Sequence, residues 1–106
     1  MHRVIAMSEN PVTGKPAFIW KDHSRFVEIV PVRTGWLVVW GRVEGGGTAR
    51  IVLGNRIYRS LPGVRRRLAD AVLLLTGKRS EAIDALALLD RQGLPEHQPQ
   101  PLPPPL

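Results

Sequence analysis

Three histidines, two of the three tryptophans and an excess of arginine are the side chains of this 106-residue sequence that could carry chemistry; cysteine is absent. His2, His23 and His97 are widely spaced, and no two ligands stand at the i, i+4 spacing that places them on one helix face, so no metal site is expected. In "KDHSR" (21–25) Asp22, His23 and Ser24 are consecutive. Adjacent side chains diverge and cannot form a catalytic triad, so the segment reads as a turn. "EGGGT" (44–48) lacks the Gly-Lys-Ser/Thr ending of a phosphate loop and joins two strand-like runs, which makes it a hairpin loop. Without cysteine there is no disulfide, thiolate zinc site or cysteine nucleophile. The chain is expected to be no enzyme and to hold no cofactor.

Binding chemistry is better represented. "RTGWLVVWGR" (33–42) carries Trp36 and Trp40 four residues apart and ends in Arg42. As a strand it puts Leu37, Val39, Gly41 and Val43 on one face and Trp36, Val38, Trp40 and Arg42 on the other. The first face is expected to be core, joined by Val27 and Ile29 from the run before and by Ala49, Ile51 and Leu53 from the run after. The opposite face then gathers Trp36, Trp40 and Arg42 with Phe26 and Arg50. Exposed, such a surface stacks bases on indoles and holds phosphates with guanidinium groups. Two other readings compete: the sheet is covered on both sides, as large aromatics favour, or the tryptophans anchor a homodimer.

A second cationic cluster, "NRIYRSLPGVRRRL" (55–68), holds Arg56, Arg59 and Arg66 near the start of a helix, whose free N–H groups also favour an anion. The competing reading pairs Arg66 with Asp70 at i+4 on a solvated face. Net charge is +6, unevenly spread: residues 1–79 hold fourteen Lys/Arg against five Asp/Glu, and residues 80–106 hold one against four. A basic folded part of this kind attracts polyanions, nucleic acid before an acidic protein or an anionic membrane. Twelve of the fifteen cations are arginine, a bias that base composition of the coding sequence also produces.

The elements that must position these residues follow from periodicity. "RFVEIVPV", "GWLVVWGRVE" and "TARIVL" are β-branched and aromatic runs separated by "RTG" and "GGG", the pattern of an antiparallel meander. Short strands are expected near Arg3 to Ala6 and Ala17 to Trp20, with "ENPVTGKP" as the loop between them. A Gly54-Asn55 hairpin would add "RIY" as another short strand. Pro31 removes a ladder donor and marks a strand end, a bulge or an edge. From Ser60 the period becomes helical: a helix from Leu61 to Thr76, capped by Ser60 and stopped by Gly77, carries the stripe Leu61, Val64, Leu68, Val72 and Leu75. Leu73 and Leu74 point off that stripe and need cover from a second helix, capped by Ser80, with its own stripe of Ala82, Ala85, Leu86 and Leu89 and its end at Gly93.

The expected fold is therefore α+β: a small antiparallel β-meander of three to five strands packed against a C-terminal helical hairpin, with residues 1–93 as one domain and 94–106 as a Pro-rich tail. That tail, with six prolines in thirteen residues, is polyproline-like, and Pro101-Leu102-Pro103-Pro104 meets the bare PxxP spacing without a flanking basic residue. Neither the N-terminal segment nor "LADAVLLL" has the length of a signal peptide's core or a membrane span, so a cytoplasmic protein without a membrane partner is expected. The functional expectation is a basic, non-catalytic nucleic-acid-binding domain using Trp36, Trp40, Arg42, Arg50, Arg56, Arg59 and Arg66. The alternative is a protein-interaction subunit, a homodimer or assembly component, with the tryptophan face and Leu73, Leu74 and Leu88 as anchors.

Overall fold

A computed structural model describes the backbone of residues 3–6 and the whole of residues 15–95. Strands β1 (Arg3–Ala6), β2 (Phe18–Asp22), β3 (Arg25–Val32), β4 (Gly35–Glu44) and β5 (Ala49–Tyr58) form one antiparallel sheet in the order β1-β5-β4-β3-β2. Helices α1 (Leu61–Thr76) and α2 (Arg79–Gln92) follow. The fold is thus the expected α+β meander with a helical hairpin. "KDHSR" is the β2–β3 turn, where His23 takes φ 48° beside the closing pair Asp22 and Arg25. "GGG" is a single 3₁₀ turn between β4 and β5. β3 runs through Pro31 to Val32, because its pairing with β2 ends at Ile29 and the missing N–H interrupts no ladder on that side.

No hairpin forms at Gly54-Asn55. β5 continues through both residues and pairs with β4 as far as Tyr58. Gly54 serves space rather than a turn: a Cβ there would lie 2.3 Å from Cζ2 of Trp40, whose ring crosses the strand at that point. The register slips at the same place, with Trp40 opposite Gly54 and Gly41 opposite Val52, so Leu53 is the extra residue of a β-bulge.

Both helices cover one face of the sheet, and it is the other face of β4 from the one expected. Val27 pairs with Trp40 and Ile29 with Val38, which carries the even-numbered side chains of β4 under the helices. There Phe18, Trp20, Val27, Ile29, Val38 and Trp40 pack against Val64, Leu68, Ala71 and Val72 of α1 and Ala82, Ala85 and Leu89 of α2. Leu37 and Val39 lie on the opposite face and join Phe26 and Val30 in a second, smaller apolar cluster that contains no helical residue. β4 is apolar on both sides, so its own alternation could not decide between them; cross-strand register does.

α1 begins and ends where its caps predict, and Gly77, at φ 70°, donates its N–H to the Leu73 carbonyl at 2.7 Å. Ser60 stands at the N-cap without a side-chain bond, and Leu61 is exposed rather than part of the buried stripe. α2 starts two residues earlier than expected, with Lys78 as N-cap and Ser80 inside the first turn. It packs through small residues, Ala82 and Ala85, and so does not spread over Leu73 and Leu74, which remain 41% and 69% exposed. The Arg65–Asp90 ion pair links the helices. Arg25 donates to the Leu75 carbonyl and to Asp22, both at 2.7 Å, and so ties the β2–β3 turn to the end of α1. Leu94 still packs on the main core and the Pro95 carbonyl accepts a bond from Trp36 Nε1 at 3.2 Å. The PxxP stretch lies outside the described residues.

Candidate functional site

The burial of the sheet separates the seven candidate binding residues into those the fold consumes and those it presents. Trp40 is 9% exposed: its indole is floored by Gly54 and roofed by the Arg67 guanidinium, 4.6 Å from the ring centroid. Trp36 is half-buried against the same core, its indole N–H bonded to Pro95. Neither offers the bare indole face that a stacking platform requires, and the reason is the parity of β4: the side carrying the tryptophans is the side the helices cover. Phe26 and Arg50, expected beside them, lie on the other face.

Arg50 is 6% exposed. It bonds Glu28 Oε1 at 2.6 Å and lies 4.1 Å over the Phe26 ring. Arg50 thus reaches from β5 to β3 across β4, where Gly41 stands opposite Phe26 and a Cβ would run into the Ile51 carbonyl of β5. A buried guanidinium needs this carboxylate, and a side chain so enclosed is not presented to a ligand as the exposed arginines are. Arg42, partly exposed, pairs with Glu44 at 3.7 Å near the β4–β5 loop, far along the strands from the remaining candidates.

Arg56, Arg59 and Arg66 are exposed, and Arg56 and Arg66 come together. Alternation puts Gly54, Arg56 and Tyr58 of β5 on the helix side, where α1 crosses the sheet. Between strand and helix lies an open groove of about 470 Å³ lined by Arg56, Tyr58, Pro62, Gly63, Arg66 and Arg67, with Asp70 at its far end. Arg59 lies in the short link from Tyr58 to α1 and does not line the groove. Arg33, in the β3–β4 turn, lies at the same end of the sheet, since neighbouring Gly35 packs directly on the Tyr58 carbonyl and Arg59 backbone.

The electrostatics of the groove follow from which cations are matched. Arg25, Arg42, Arg50, Arg65 and Arg67 each have a carboxylate partner. Asp70 is taken by Arg67 at 3.9 Å rather than by Arg66, so the competing i+4 pairing of Arg66 does not form. Among the described residues Arg56, Arg59 and Arg66 have no carboxylate within ion-pair distance. Arg56 instead rests 5.6 Å from the Tyr58 ring centroid, and on another side that ring meets Gly63, where a Cβ would fall 3.0 Å from Cδ1. The groove therefore offers guanidinium donors and the opening turn of α1, while its one aromatic ring is already flanked by Arg56 and the Gly63 backbone. That chemistry suits an extended anion gripped by its charges, not a base held by stacking.

Tyr58, Gly63 and Arg33 were not among the candidates. The misread hairpin hid the first: had β5 been read as one strand, its alternation would have placed Arg56 and Tyr58 together. Arg33 has no signal beyond its position in a turn. Elsewhere, Leu88 is partly buried against the main core, whereas Leu73 and Leu74 are exposed. Among the described residues no three His, Asp or Glu side chains gather as a metal site, and no helix is long and apolar enough to cross a membrane. No family model, curated protein or solved structure matches the chain.

Proposed function

We propose that this protein is a non-catalytic nucleic-acid-binding module that grips the phosphate backbone through the groove between β5 and α1. The observation that carries the reading is the convergence of Arg56 and Arg66, exposed and unmatched by carboxylates among the described residues, on one groove, with exposed Arg59 in the adjoining link; Arg33, Arg79 and Arg91 are also exposed and unmatched but do not line the groove. Leaving guanidinium groups unpaired on adjacent elements maintains a local positive field that a polyanion neutralises with release of its counterions. Trp40, buried, and Trp36, half-buried with its indole N–H bonded to Pro95, are not part of this grip. Binding is then weakly dependent on sequence, because phosphate contacts fix position without reading bases.

Fluorescence anisotropy of labelled single-stranded and duplex oligonucleotides, across a salt series, tests this. Three phosphate contacts give a slope of log K against log salt of about −3 on duplex, and each contact removed reduces it by about 1. Arg66→Ala and Arg59→Ala are expected to do so while Trp40 emission stays unchanged. Absence of binding at low ionic strength, or a slope untouched by these substitutions, refutes the reading.

A second reading, self-association through the helical hairpin, rests on the exposure of Leu74 (69%) and Ile83 (57%). Sedimentation of the protein and of Leu74→Lys decides it: a dimer that the substitution dissociates favours it.

A further inference from the structure

β1 and β4 flank β5 unequally. β4 pairs with it from Ala49 to Tyr58, but β1 pairs only with Ala49–Val52. Beyond that point, over Gly54–Tyr58, β4 is the only strand beside β5 among the described residues. Alternate residues there aim N–H and C=O groups outward, and no hydrogen bond among the described residues reaches them. This open edge is not bare to solvent on every side: it forms one wall of the groove, and Pro62, Gly63 and Arg66 of α1 form the other. A cleft between an unpaired strand edge and a helix is the geometry in which a polypeptide adds as a further strand.

We infer that this edge accepts an extended acidic segment of another protein, paired antiparallel or parallel to Gly54–Tyr58. The side chains flanking the edge specify its chemistry. Arg56 faces the groove opposite Arg66 and Arg67, so every second side chain of the incoming strand meets guanidinium groups and is matched by Asp or Glu. The intervening side chains fall on the other face beside Ile57, an isoleucine left 48% exposed, and are matched by apolar residues. A second copy of this chain is a poor occupant. Pairing β5 with β5 brings Arg56 and Arg59 of two copies together, and like charges on an edge are a device against such pairing. The chain's own residues 96–106 are poor occupants too, since prolines cannot supply the ladder donors. The inference goes beyond nucleic-acid binding but shares Arg56 and Arg66 with it, so an acidic strand and a nucleic acid compete for the groove.

The test uses the full chain, amide hydrogen exchange read by NMR, and a capped peptide of alternating Glu and Val as probe. The expected result is slowed exchange of the outward amides within Gly54–Tyr58, by about tenfold or more at saturation. Affinity falls about tenfold or more in the Arg56→Glu/Arg66→Glu variant, and is lost for a peptide N-methylated at alternate residues, which keeps the charge but not the donors. Equal binding of the N-methylated peptide overturns strand addition, as does absence of binding. Amides already protected in the free protein, whether by its own tail or, with concentration-dependent protection, by a second copy, overturn it as well. Oligonucleotide anisotropy on the same samples is read separately: an oligonucleotide that binds without protecting these amides leaves nucleic-acid binding standing whether or not the peptide binds.

Discussion

Replacing Gly54 by alanine is expected to destabilise the fold through Trp40, and the size of the effect can be worked from the contacts. The added Cβ would lie 2.3, 2.7 and 3.0 Å from Cζ2, Cε2 and Cη2 of the indole, where carbon atoms normally rest about 3.5–4.0 Å apart. The ring must retreat by about 1 Å, toward a core in which Val27, Val38, Val64 and Leu68 are fully buried and leave no slack. Overpacking of this kind costs about 1–3 kcal/mol, more than the gain of a few tenths to about 1 kcal/mol that alanine brings by restricting the unfolded chain. A net loss of about 1.5 kcal/mol with a urea m-value of about 1.5 kcal/mol/M moves the midpoint down by about 1 M. Equilibrium urea unfolding followed by tryptophan emission measures it. Trp40→Leu in the Gly54→Ala background should recover part of the loss that the two single changes predict, giving a coupling above about 0.5 kcal/mol in a double-mutant cycle. If Gly54→Ala is neutral or stabilising, Trp40 does not lie across the strand, and the tryptophan side of β4 returns as an exposed surface.

Glu28→Ala strands the buried Arg50 guanidinium and should cost about 3–5 kcal/mol, whereas Glu28→Leu with Arg50→Leu together should cost far less; thermal unfolding of the three proteins distinguishes this from an ion pair of no consequence. Leu68→Ala should cost about 2–5 kcal/mol by urea unfolding, while Leu74→Ala stays within about 0.5 kcal/mol. A large effect at Leu74 would mean that α2 or another element covers it. Leu73→Ala, at intermediate exposure, should fall between the two.

Much of the fold was legible because local signals agreed with one another. α1 is fixed at both ends by Pro62 in its first turn and Gly77 after its last, and its buried face of Val64, Leu68 and Val72 is the one its spacing selects. The meander followed from β-branched runs separated by short loops. Orientation was a different matter. The sequence 37–40, "LVVW", offers an apolar residue to either face, so which side met the helices depended on pairing with Val27 and Ile29, a contact between strands that no single run contains. The same holds for Gly54-Asn55: locally a turn signal, it is overridden by the ring of a tryptophan on the neighbouring strand. Exposure of Leu73 and Leu74 turned on helix separation, which Ala82 and Ala85 set from the other helix.

These errors share a direction, and it bears on where function can reside. Aromatic and charged side chains close together in sequence, Trp36, Trp40 and Arg42, suggest a surface, yet a meander distributes neighbours along a strand to opposite faces and gives one of those faces to the core. The residues that do converge, Arg56 and Arg66, are brought together by a helix returning over the end of a strand. That convergence needs β5 to continue past the end of β1: a β5 that stopped at Leu53, as a hairpin at Gly54 would make it, would leave neither an open edge nor a wall for the groove. The bulge at Leu53 lies where the two stretches meet, between residues paired with β1 and residues that are not. Gly54 is thus coupled to both halves of the molecule, to the core through Trp40 and to the groove through the strand that carries Arg56. A substitution there that tilts the ring should disturb the groove as well as the stability. Oligonucleotide affinity of Gly54→Ala, measured well below its unfolding midpoint, is expected to fall alongside that of Arg56→Ala; affinity unchanged in a destabilised Gly54→Ala protein would show that the strand's path past the bulge does not set the groove.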